Sequence, residues 1–322
     1  MSVSFYIKNK KKFFGYQKVM KVREVIDLFK EYKLSFYNID FHVNDPDGEK
    51  FYNTSIESWQ ENHNSILFGV EGKSARGFEF SYNSRKNSYV IREYTPASEN
   101  DWIVALEFMK VLAEKLNSKI VSEQGDTFTF KTINTFDYKS DIETGIKVIS
   151  DILNKENEKA FNVDNIYGIK RVVSFNKEII EKIVNSSDEI KEFSKFCEDI
   201  QYINAYSAKQ SFVEDRATKE KWGYYVLTEN LRTVLPYKPS VEFFSMDYIK
   251  NEEVAFWKIF FCAYKVDENG EEGIDKIGES IYDDFIKKLP TDKYKFIDAS
   301  YIVVEPLNRD DIEKMLGLLQ IK

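Results

Sequence analysis

Residues 2–8 alternate, with Val3, Phe5 and Ile7 on one side and Ser2 and Ser4 on the other, the period of a half-buried strand. Lys10-Lys11-Lys12 and Gly15 then mark a turn, and a second strand is expected near 17–22. Val22, Val25, Ile26 and Phe29 fall at i, i+3, i+4 and i+7, one face of a helix. Alternation returns at Tyr37, Ile39, Phe41 and Val43, and in short runs at 65–70, 77–82 and 88–94. Connections this short cannot carry parallel crossovers, so an antiparallel meander is expected.

The helix that should cover this sheet carries the strongest signal. Ser98 and Asp101 have the spacing of a capping box behind Pro96. Trp102, Ala105, Leu106, Met109, Leu112, Ala113 and Leu116 then share one face. Strands at 119–122 and 127–131 follow. The stretch 131–141 is polar and aperiodic and reads as a boundary between two domains of similar size, 1–136 and 137–322.

Beyond it, Ile142, Ile146, Ile149 and Leu153 give a helix, 169–175 a strand, and 177–200 a long helical stretch interrupted at Asn185-Ser186-Ser187. Strands are expected at 205–213, 222–227, 254–266 and 295–304, and helices at 274–289 and from Asn308. The run at 254–266 is the most apolar and is expected to be the most buried strand. The fold class that follows is α+β: mainly antiparallel sheets with helices packed on one face.

Composition sharpens this picture mainly by exclusion. The 322 residues include 26 Phe, 20 Tyr and 4 Trp, but only two histidines and two cysteines. That is material for a large aromatic core and little for reactive chemistry. Cys197 sits at a helical apolar position and Cys262 inside the 254–266 run, so both read as core thiols in a reducing, cytoplasmic setting. No apolar run approaches the ~20 residues of a membrane span, so no membrane partner is expected. The net charge is −8, yet residues 1–33 hold nine Lys/Arg against three Asp/Glu. A basic end on an acidic body suits steering toward a partner.

Tempting motifs meet plain alternatives. Gly72-Lys73-Ser74 lacks the earlier glycine of a phosphate-binding loop, since Leu67 stands there, and a strand follows it instead of a helix. His42 and His63 are isolated, which argues against zinc, and no cofactor is expected. Asp47, Glu71 and Lys73 match the spacing of a P-D…E-x-K nuclease core, in which two carboxylates hold Mg²⁺ and lysine helps activate water. However, Asp47 lies in an Asp-Gly turn that explains it without chemistry. Lys8, Lys10, Lys11 and Lys12 with Phe13 and Phe14 form a candidate binding patch for nucleic acid or an acidic partner. The plain alternative is a solvated turn whose two phenylalanines tuck beneath the sheet.

Three segments carry a family resemblance. They are Ser2-Val3-Ser4-Phe5 with Lys10-Lys11-Lys12; Tyr94-Thr95-Pro96-Ala97-Ser98 with Asp101-Trp102 and its helix; and Trp222-Gly223-Tyr224-Tyr225-Val226-Leu227. Together they resemble an uncharacterised bacterial family, domain of unknown function 4299, across nearly the whole chain. The resemblance implies a soluble intracellular bacterial protein and carries over no catalytic residues. The layout also has a fold-level likeness to bacterial toxin-immunity proteins. The leading expectation is a non-catalytic protein that binds another protein in an immunity-like or regulatory role. A metal-dependent phosphodiesterase on Asp47, Glu71 and Lys73 is the alternative, and nucleic-acid binding through Lys8, Lys10, Lys11 and Lys12 is the third reading.

Overall fold

The structure, a computed structural model, describes residues 1–37, 47–62, 65–155, 163–266 and 272–317. Strand β1 (Ser2–Lys8) leads to α1 (Val22–Leu28), β2 (Leu34–Phe36), α2 (Glu49–Asn53) and α3 (Ile56–Asn62). Strands β3 (Ile66–Val70), β4 (Phe78–Asn83) and β5 (Ser88–Tyr94) form the expected meander ahead of α4 (Glu99–Leu116). Then come β6 (Ile120–Ser122), β7 (Thr127–Phe128), α5 (Tyr138–Lys155), β8 (Asp164–Tyr167), β9 (Val172–Phe175), α6 (Lys177–Val184) and α7 (Glu189–Gln201). The first seven strands form one sheet in the order β2-β3-β4-β5-β1-β6-β7. Every neighbouring pair in it is antiparallel.

β1 lies between β5 and β6, and this changes one expectation. Both of its edges are occupied, so the chain returning after the basic turn has no free edge to join. Instead of a strand at 17–22 there are isolated bridges, Lys11 to Tyr16 and Lys21 to Ser55. The strand expected at Tyr37, Ile39, Phe41 and Val43 falls mostly outside the described residues, as do His42 and His63.

One face of the sheet is apolar by strict alternation: Val3, Phe5 and Ile7 on β1, Ile66 and Phe68 on β3, Phe78 and Phe80 on β4, Tyr89 and Ile91 on β5. Helix α4 lies against β1, β3 and β5. Its predicted face is buried throughout, and Ser98 and Asp101 make the reciprocal cap the spacing implied. Phe108 adds an aromatic hub, stacked on Phe29 at 4.1 Å and packed against Phe68, Phe78 and Phe80. Burial of such rings, each removing about 150–250 Å² from water, is the main stabilising term here.

The compact units divide after Tyr202, not in the polar stretch 131–141: they are Met1–Tyr202 and Ile203–Lys322. Helix α5, which follows that stretch, packs on α4 and α7. It is also tied back by hydrogen bonds, from Thr95 Oγ1 to Asp141 at 2.8 Å and from the Tyr138 hydroxyl to Glu99 at 3.1 Å. The polar residues of 131–141 therefore edge one core instead of linking two. The helical break at 185–187 is real, and Asp188 caps α7 by accepting from the Lys191 N–H at 3.0 Å.

The second unit contains β10 (Tyr206–Ser207), β11 (Ser211–Glu214), β12 (Lys221–Thr228), β13 (Thr233–Pro236), β14 (Val254–Val266), β15 (Glu272–Ile281), α8 (Tyr282–Lys288), β16 (Tyr294–Phe296), β17 (Tyr301–Val304) and α9 (Arg309–Leu316). Two four-stranded sheets result, β10-β13-β17-β16 and β11-β12-β14-β15. Their shared core joins Leu227, Leu235, Ile259, Phe261 and Ile302 to Tyr282, Phe285 and Ile312 of α8 and α9. The helix expected at 274–289 is strand β15 followed by the short α8. Ile274, Ile277 and Ile281 have helix-like spacing, but β14 offers 272–281 a long antiparallel partner, and tertiary pairing overrides local period. The fold is α+β, with antiparallel pairing dominant and two parallel pairs, β10–β13 and β12–β14, among the described strands.

Candidate functional site

The basic turn is built from its base upward. β1 ends at Lys8, and the next residue, Asn9, is buried. Its backbone N–H donates to the Asn87 carbonyl at 2.8 Å, and its side-chain amide donates to the Gln17 carbonyl at 2.7 Å. Its side-chain oxygen accepts from the Lys10 N–H at 2.8 Å. The Gln17 N–H returns a bond to the Lys10 carbonyl at 2.8 Å, and the Lys12 N–H reaches the Gly15 carbonyl at 3.0 Å. Gly15 has φ +75°, a left-handed conformation that glycine adopts without penalty. Residues 9–17 thus form a closed, internally bonded loop.

At its tip Phe13 is 94% and Phe14 87% exposed, with ring centroids 4.8 Å apart and planes at 84°. The expectation that these rings tuck beneath the sheet is overturned. The sheet's apolar face is already filled by α4, which leaves the two rings no place on it. Lys8, Lys10, Lys11, Lys12 and Lys18 on the same loop are exposed as well.

The nuclease-like trio is dispersed in role. Asp47 is an exposed turn residue just before Gly48, the N-cap of α2. Glu71 and Lys73 sit in the tight turn after β3, where the Lys73 N–H donates to the Val70 carbonyl at 3.0 Å. Glu71 is already engaged, by an ion pair to Lys170 and by the Tyr37 hydroxyl at 3.1 Å. Ser74, the end of the Gly-Lys-Ser run, is buried, and its Oγ accepts from the Val70 N–H at 3.1 Å. Among the described residues no group of three or more His, Cys, Asp or Glu side chains is placed to hold a metal ion.

One polar cluster was missed in the sequence. Glu93 lies on the apolar face of β5, fully buried between Val3 and Phe78 on the neighbouring strands, and neither carboxyl oxygen has a hydrogen-bond partner. Burial drives its carboxyl well above the usual range; nearby Asp101 adds to the shift, Arg76 opposes it and Asp141 adds a little more. Asp101, in contrast, is fully satisfied. It accepts from the backbone N–H groups of Arg76 (3.0 Å), Gly77 (2.9 Å) and Ser98 (3.1 Å) and from the Ser98 hydroxyl (2.9 Å). Arg76 donates to the Pro96 and Tyr167 carbonyls and lies over the Tyr94 ring. Burial pushes the Asp141 carboxyl up, and the hydrogen bond it accepts from Thr95 opposes the shift. The signal was available: the alternation of Tyr89, Ile91 and Glu93 puts all three on one face. Cys197 is buried nearby, its thiol pushed well up by burial, and is not a thiolate candidate.

The strand β14 is less buried than its composition implies. Ile259 and Phe261 face the core, while Phe256 and Phe260 are half-buried with Trp222 and Tyr224 of β12 on the other face. Trp222 stacks on Phe256 at 5.8 Å, and Tyr224 meets Phe260 at 4.9 Å. Lys258 lies 5.0 Å from the Trp222 ring and Lys276 4.5 Å from the Phe260 ring, both paired with Glu279. Further along, Tyr264 and Ile274 are 67% and 62% exposed.

The profile of a family described as a domain of unknown function, DUF4299, matches residues 2–315. The chain belongs to the DUF4299 family. Neither the curated proteins nor the solved structures contain a match to this DUF4299 chain. Its three resembling segments include β1 with the basic turn, the Ser98 cap with α4, and β12. No helix among the described residues is long and apolar enough to cross a membrane.

Proposed function

We propose that this protein is a non-catalytic binding protein, immunity-like or regulatory in role, that engages a macromolecular partner of negative surface charge through the loop 8–18. The observation that carries the reading is the exposure of Phe13 and Phe14 at the tip of a hydrogen-bonded turn whose lysines are exposed as well. Two adjacent large apolar side chains held in water are unfavourable for the free protein, and covering them stabilises a complex. The lysines select an anionic partner and raise the rate of encounter. A phosphodiesterase on Asp47, Glu71 and Lys73 has weaker support, because Glu71 is occupied by Lys170 and Tyr37.

The test compares the full chain with Phe13→Ser/Phe14→Ser and with Lys10→Glu/Lys11→Glu/Lys12→Glu, against an acidic protein, single-stranded DNA and anionic vesicles as probes. These side chains are exposed, so both variants should keep the parent's circular dichroism and melting temperature. The expected result is that the parent retains at least one probe and that both variants lose it. Equal retention of every probe by parent and variants would refute the reading.

A further inference from the structure

The reading above makes the loop a binding element, and the inference here rests on it while naming the partner. We infer that the loop 8–18 docks on an anionic lipid surface. Phe13 and Phe14 enter the boundary between headgroups and acyl chains, and Lys8, Lys10, Lys11, Lys12 and Lys18 meet the lipid phosphates.

Residues 8–18 hold five lysines, all exposed, and no acid. An anionic plane therefore attracts this loop. The attraction is short-ranged, because charge is screened over about 8 Å at physiological salt. It is felt when the tip itself reaches the surface, so the phenylalanines are brought in first.

Ring geometry separates lipid from nucleic acid. Single-stranded nucleic acid is bound by rings laid open so that successive bases stack on them. Phe13 and Phe14 are neighbours at the apex of a reversal, with planes at 84° and an edge of one against the face of the other. They form a blunt apolar wedge, not a ladder of parallel platforms. A fluid lipid boundary accepts a wedge of any ring orientation.

The base of the loop supplies preorganisation. Asn9 is buried and bonded to Asn87, Gln17 and Lys10, so the apex is held out without ordering on contact. A spanning helix is not required for this mode. An apolar insertion and a polybasic patch are each weak alone and together give stable, reversible docking.

The experiment uses the full chain with vesicles of phosphatidylcholine and of phosphatidylcholine mixed with phosphatidylserine, an anionic lipid that attracts polybasic segments. Flotation is measured at low and high salt. The expected result is at least tenfold stronger partitioning onto the anionic vesicles, weakened by salt. It should fall tenfold or more in Phe13→Ser/Phe14→Ser and in Lys10→Glu/Lys11→Glu/Lys12→Glu. A Phe13→Trp variant should show blue-shifted emission on anionic vesicles, because the ring leaves water. Failure of the parent to float, or flotation unchanged by loss of the phenylalanines, overturns the lipid assignment. If the parent ignores vesicles yet retains DNA or an acidic protein in a loop-dependent way, the lipid assignment falls and the binding loop stands. If loop variants alter nothing, both fall.

Discussion

The side-chain amide of Asn9 donates to the backbone carbonyl of Gln17 at 2.7 Å, joining the two arms of the basic turn across its base. One buried side chain thereby fixes the position of two exposed phenylalanines packed edge to face on each other. Asn9→Ala should leave the Gln17 carbonyl and the Lys10 N–H without these partners, at a cost of about 1–3 kcal/mol. Urea unfolding gives the stability change, and amide exchange at Lys12 and Gln17 should speed up. Binding through the loop should weaken although every lysine and phenylalanine is retained. Unchanged exchange at these two amides would show that Asn9 does not hold the loop.

Glu93 makes stability depend on pH. Its carboxyl is raised in the fold, so the folded state holds the proton more tightly than the unfolded chain does. The stabilisation is full below the ordinary carboxylate range and is lost as pH rises through the raised value. Each tenfold gain in proton affinity on folding corresponds to about 1.4 kcal/mol. Glu93→Gln keeps the shape and the neutral state and should flatten that part of the profile. Chemical denaturation across a pH series checks it; a parent that grows more stable through the same window would contradict the assignment.

Asp101 is buried too, but its side chain accepts from four donors. Asp101→Asn replaces one acceptor oxygen with a donor that faces another donor. The expected loss is about 2–3 kcal/mol, seen as a lower denaturation midpoint with an unchanged slope. It should exceed the loss from Ser98→Ala, which removes only the hydroxyl half of the cap.

Gly223 lies on β12 beneath the Trp257 ring, and a Cβ there would come within 2.3 Å of it. Trp257 is wedged between Tyr225 and Phe212, with centroid distances of 5.7 and 5.6 Å, so it has little room to yield. Gly223→Ala should destabilise the second unit by about 1–3 kcal/mol through overpacking. Thermal or urea melts of a Trp59→Phe/Trp102→Phe background, in which the remaining tryptophans Trp222 and Trp257 lie in the second unit, would detect it, and a variant as stable as the parent would mean the ring moves freely.

The Glu71–Lys170 pair is exposed, and such pairs contribute about 0–1 kcal/mol. Glu71→Gln should therefore change stability by less than about 1 kcal/mol. Supercoiled plasmid incubated with Mg²⁺ should remain intact with parent and variant alike. Nicking by the parent that disappears in the variant would restore the phosphodiesterase reading.

Several elements were legible because their signals were local. The cap at Ser98 and Asp101 with its seven-residue apolar face, the break near Asn185, the β3–β4–β5 meander and the helix from Asn308 all emerge as read. The site was less legible. The lysines and phenylalanines of 8–14 stood out by composition, but their exposure depended on what already filled the sheet face. Glu93 could be placed on that face by counting, yet its lack of any partner follows from Val3, Phe78 and the helix brought against it.

Taken by itself, the order of residues determined the α+β class, most strand and helix positions, and the concentration of positive charge at one end, because period, capping and charge are properties of near neighbours. Tertiary structure decided the rest. It placed β1 between two strands so that 17–22 had no edge to join. It made 272–281 a strand by giving it β14 as a partner, and it drew 131–141 into the first unit. It also left Phe13 and Phe14 in water. Each of these depends on which distant surfaces are already occupied, and that competition for partners cannot be counted along the chain.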